Sequence, residues 1–132
     1  MTLIEFLNAR LNEDEAAARK ALPGPWHVVD GDTDRAQVRD SSGGYVAATG
    51  SAEASEESLP APGTAAHIAR HHPERVLREV AAKRAAITEI QQHSDFFGRK
   101  RKPVEEGLTG YTLRVAAAAY SDHPDFDREW AL

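Results

Sequence analysis

Apolar positions open the chain at Leu3, Ile4, Phe6, Leu7 and Leu11, while Asn8, Arg10, Asn12, Glu13 and Asp14 take the polar places. Residues three and four apart share one face of an α-helix, so this spacing predicts an amphipathic helix over residues 2–21. Thr2 and Glu5 have capping-box spacing, in which hydroxyl and carboxylate each satisfy a free backbone N–H. Pro23-Gly24-Pro25 ends the helix. The period then shortens. Residues 26–29, 37–40 and 45–49 are short and β-prone, and the last two flank Ser41-Ser42-Gly43-Gly44, where glycine supplies the positive φ of a tight reversal. A hairpin results, extended to a three-stranded meander by the Trp26 strand. So small a sheet needs a helix against one face.

Residues 50–63 are rich in Ser, Ala, Glu and Pro and offer little to bury, which predicts a flexible linker. Thr64 can cap a short helix over 65–71. Pro73 suits the first turn of a longer helix, where its missing N–H costs nothing. That helix turns Val76, Leu77, Val80, Ile87 and Ile90 inward and ends near residues 93–97, with Gly98 as its stop. A second flexible polar loop is expected over 98–110. A short final helix over 111–121 puts Leu113, Ala116, Ala117 and Tyr120 on one side. The tail reads as a turn anchored by Phe126 and Trp130. These elements predict an α+β fold: an N-terminal and a long central helix packed on a small antiparallel meander, closed by a short C-terminal helix. At 132 residues the whole chain reads as a single domain.

Composition narrows the chemistry. The chain has no cysteine, so disulfides and thiolate metal sites are excluded. No stretch has the run of about 18 apolar residues that spans a bilayer. The amino end lacks a basic segment ahead of its apolar stretch, so a cytoplasmic address without membrane attachment is expected. Many of the apolar residues are alanine, which buries little area, so self-association is expected as a way to hide more apolar surface. Residues 1–60 carry eleven acids against five bases, whereas residues 64–102 carry nine bases against four acids. Such asymmetry suits an anionic partner, head-to-tail association, or two solvated faces.

Several motifs coincide along the chain: Leu3-Ile4-Glu5-Phe6-Leu7, Gly24-Pro25-Trp26-His27-Val28, His67-Ile68-Ala69-Arg70-His71 ahead of Pro73, Val76-Leu77-Arg78-Glu79-Val80, and Tyr120-Ser121-Asp122-His123-Pro124-Asp125-Phe126 before Trp130. Together the chain resembles an uncharacterised family of small proteins from actinobacteria and their phages. The resemblance implies no activity, substrate or site. It implies that many relatives carry cysteines in the loop that here spans residues 98–110, as for a zinc knuckle. Here Arg99-Lys100-Arg101-Lys102 occupies that loop, and no thiolate role carries over.

Candidate chemistry is sparse. His67 and His71 lie four apart and would share a helical face, with His72, His93 or His123 as a further metal ligand. The competing and favoured reading is that they cap or pack at the break before Pro73. Arg99, Lys100, Arg101 and Lys102 can neutralise phosphates in a sequence-blind way, although a solvated loop explains them better. Asp30, Asp32 and Asp34 lack the spacing of a calcium loop. No Gly-x-Ser-x-Gly elbow occurs, and Gly43-Gly44 opens no helix. The sequence therefore points first to a non-enzymatic interaction protein, a homo-oligomer and accessory factor of phage or prophage type, with no cofactor. The alternatives are a nucleic-acid-binding module using residues 99–102, and a small-ligand or metal site at His67, His71 and His123.

Overall fold

The computed structural model describes residues 1–31, 35–48, 63–97 and 106–132. Four helices and one antiparallel sheet follow in the order α1 (Leu3–Lys20), β1 (His27–Val29), β2 (Gln37–Arg39), β3 (Tyr45–Ala48), α2 (Thr64–Arg70), α3 (Pro73–Phe97) and α4 (Gly107–Ala117). Two 3₁₀ turns, Ala118–Tyr120 and Arg128–Trp130, complete the C-terminus. The α+β class follows directly. Among the described residues no helix is long and apolar enough to cross a membrane.

The chain packs as two compact units, Met1–Glu15 with Glu79–Leu132, and Ala16–Arg78. In the first, the apolar stripe of α1 is sealed: Leu3, Phe6, Leu7 and Leu11 are almost fully buried, as are Val80 and Ile87 of α3 and Leu113 and Ala117 of α4. Each such large side chain contributes about 1.5–3 kcal/mol. Phe6 is the centre of an aromatic cluster, with ring centroids 5.0 Å from Trp130, 5.8 Å from Phe126 and 6.4 Å from Tyr120. The capping box forms: Thr2 N donates to Glu5 Oε2 (2.7 Å) and Glu5 N to Thr2 Oγ1 (3.2 Å). Arg84 of α3 reaches α1, donating to Glu15 and Asn12 at 2.6 Å each.

In the second unit the strand order is β1-β2-β3, all antiparallel, with Val28 opposite Val38 and Val38 opposite Ala47. A bulge after Val38 sets Arg39 opposite Tyr45. The central strand supplies fully buried Val38, which packs with Ala36 and with Ala65 and Ala69 of α2, bordered by Trp26, Val28, Val46 and Ile68. Small residues on α2 let its backbone approach the sheet, so this short helix provides the covering layer a three-stranded sheet requires. Buried Asp40 closes the hairpin: its Oδ1 accepts from Ser42 N (2.9 Å), Ser42 Oγ (2.7 Å) and Gly44 N (2.7 Å). Gly43 has φ +83°, as the turn demands.

Two boundaries differ from those read in the sequence. α4 begins at Gly107, four residues before Tyr111, so residues expected in a loop are helical. Its Gly110 is buried, with Leu113 and Ala117 of the same helix. Gly63, with φ +89°, takes the N-cap position of α2 that Thr64 was expected to hold.

Candidate functional site

The histidines considered as metal ligands divide between the units. His67 and His71 stack at the end of α2 with ring centroids 4.4 Å apart. His71 is the C-cap residue, and its Nδ1 lies 2.8 Å from His67 O. A carbonyl can only accept, so the Nδ1 proton is used there. His123 belongs to the other unit. Its Nδ1 receives Arg10 Nη1 at 2.8 Å and Asp125 N at 3.1 Å. Two N–H donors on one nitrogen make it the acceptor and put the proton on Nε2. Among the described residues no three His, Asp or Glu side chains converge as a metal set. The basic run Arg99, Lys100, Arg101 and Lys102 lies outside the described residues, as do Asp32, Asp34 and residues 50–62.

Arg10 is the functional-looking residue that periodicity alone does not reveal. It is only 6% exposed, although the pattern of α1 assigns it to the polar face. A buried guanidinium requires partners. Glu13 receives Nε and Nη2 at 2.9 and 2.7 Å, His123 receives Nη1, and the cation lies 5.0 Å from the Phe6 ring centroid. Glu13 keeps the guanidinium even more firmly protonated than usual. Nearby, Tyr120 donates to Asp14 Oδ2 at 2.6 Å and accepts from Lys83 at 3.4 Å. Burial, followed by the Asp14 contact, pushes its phenol well above the ordinary range. These groups bond to one another and hold the aromatic tail to α1, while the Glu13 side chain stays 59% exposed.

Among the described residues, two surfaces stand out. One is the outer face of α4, where Leu108 is 80%, Tyr111 51% and Val115 47% exposed. Their spacing of three and four residues aligns them as one stripe on the helix. In its eleven residues α4 carries a single charge, Arg114, whereas α1 and α3 are dense with charged side chains.

The other is a groove of about 480 Å³ in the second unit. Residues 25–28 form one side, and Ala66, Ala69 and Arg70 of α2 with His72 and Arg75 form the other. Beside it, Glu74 accepts from Gly24 N at 2.9 Å and lies 3.0 Å from His72 Nδ1. The His72 contact, then backbone N–H donors, hold the Glu74 carboxyl below its ordinary range. Trp26 donates its indole N–H to Leu22 O at 2.9 Å, so the ring is oriented before any ligand arrives.

A family model matches the chain from residue 1 to residue 132, and its description is "Family of unknown function (DUF6221)". No curated protein and no solved structure matches.

Proposed function

Because the chain belongs to this family of unknown function over its whole length, we propose a role from its surfaces: it is a non-enzymatic interaction protein that self-associates through α4. The observation that carries this reading is the uncharged stripe of Leu108, Tyr111 and Val115 on a helix otherwise built like a buried one. A helix apolar on its outer as well as its inner side belongs in an interior or an interface. A second copy is the proposed occupant because the stripe itself is neutral, so opposing two of them sets no like charges together despite the formal net charge of −5. A two-fold axis through its middle opposes one stripe to the other. The mutual hydrogen bonding of Arg10 with Glu13 and His123, and of Tyr120 with Asp14, supports a scaffolding role for the first unit, with its outer helix face left for contact.

Sedimentation equilibrium at several loading concentrations tests this. The wild type shifts from monomer toward dimer as concentration rises. The double variant Leu108→Glu, Val115→Glu stays monomeric with an unchanged far-ultraviolet circular dichroism spectrum. Monomer alone across the concentration series contradicts the proposal, as does a dimer that the double variant retains.

A further inference from the structure

The groove of the second unit has a lining that a strand face does not produce. Side chains alternate across a strand, so a cleft under one face meets every second residue. Here Pro25 and Trp26 line it ahead of the strand, and the adjacent strand residues His27 and Val28 both line it, so β1 borders the groove by its edge. β1 is an outer strand of the sheet: among the described residues it pairs with β2 alone. Alternate N–H and C=O groups of an outer strand point away from the sheet and accept a further strand. The opposite wall is cationic. Arg70 and Arg75 flank the groove there, and the neighbouring Glu74 carboxylate is engaged by Gly24 N and His72 Nδ1. Arg75 is steadied by donating to Arg70 O at 3.3 Å. Arg70 itself is exposed.

We propose that this groove is a strand-addition site for an extended acidic segment of a partner protein. The backbone of that segment pairs with the outer edge of β1. Its alternate side chains, spaced two residues apart, turn acids toward Arg70 and Arg75, and the intervening side chains meet Trp26 and Val28. Backbone pairing supplies affinity in this mode and the pockets for alternate residues supply selectivity. The proposal is independent of association through α4, which lies in the other unit.

The test uses the full chain and fluorescein-labelled, end-capped octapeptides in which glutamate alternates with valine, isoleucine, phenylalanine or tyrosine, read by fluorescence anisotropy. At least one peptide is expected to bind saturably. Its binding falls about tenfold or more when glutamine replaces glutamate, when Arg70→Glu protein is used, and when alternate peptide amides are N-methylated. N-methylation leaves the charge in place and alters no residue of the protein, so it reads strand pairing without risk to the fold. Failure of all four peptides to saturate overturns the proposal. Equal binding of the N-methylated peptide overturns strand addition, and equal binding of the glutamine peptide overturns the acidic preference.

Discussion

Phe6 and Asp40 show how single residues set this structure. Phe6 is fully buried and meets the rings of Tyr120, His123, Phe126 and Trp130, all more than one hundred residues away in sequence. Phe6→Ala is expected to cost about 3–5 kcal/mol in urea denaturation, because the cluster cannot close over the lost ring. Asp40 gives a pH signature. Hydrogen bonds from Ser42, then Gly44, hold its carboxyl below the ordinary value of 3.8. The unfolded chain therefore takes up the proton more readily. The stabilisation is complete above the ordinary value and is lost as pH falls through the lowered folded value. Glu5 and Glu74 are shifted in the same direction. Denaturation midpoints measured from neutral pH downward should fall steeply in acid, and Asp40→Asn should flatten that fall without abolishing it. At this scale the sequence was readable for Phe6, whose place on the α1 stripe is periodic. It was not readable for Arg10, because its partner His123 is set beside it only by the folded tail.

The elements with strong local signals were the legible ones. α1 carries both its cap and its stripe, and Thr2→Ala is expected to lose about 1 kcal/mol, measured by thermal or urea denaturation, as the Glu5 N–H gives up its acceptor. Pro73 opens α3 as anticipated, and the hairpin turns at Ser41 to Gly44, with Asp40 as its acceptor. Residues 107–110 of α4 fall in the expected polar loop, and Gly107 and Gly110 disfavour helix on propensity. Tertiary packing overrides that preference, since Gly110 is buried against its surroundings. The covering of the sheet by α2 was similarly hidden. A seven-residue helix with Ala65 and Ala69 inward has too little apolar weight to announce its role.

For the whole molecule, an alanine-rich composition offers few large side chains to the core, and Leu108, Tyr111 and Val115 remain exposed on α4. The α4 stripe was half visible in the sequence. Tyr111 and Val115 fell within the expected helix, but Leu108 was assigned to a loop, so the three could not be aligned. The absence of cysteine makes their contact directly measurable. Exposed Thr112 lies beside the middle of the stripe, where a two-fold axis brings equivalent positions together. A nitroxide on Thr112→Cys, examined by double electron–electron resonance, should give one short intermolecular distance, as for helices whose axes run about 8–10 Å apart. Adding Val115→Glu should abolish it. A sample at dimer-forming concentration that shows no dipolar modulation, or a distance unaffected by Val115→Glu, would contradict self-association through α4.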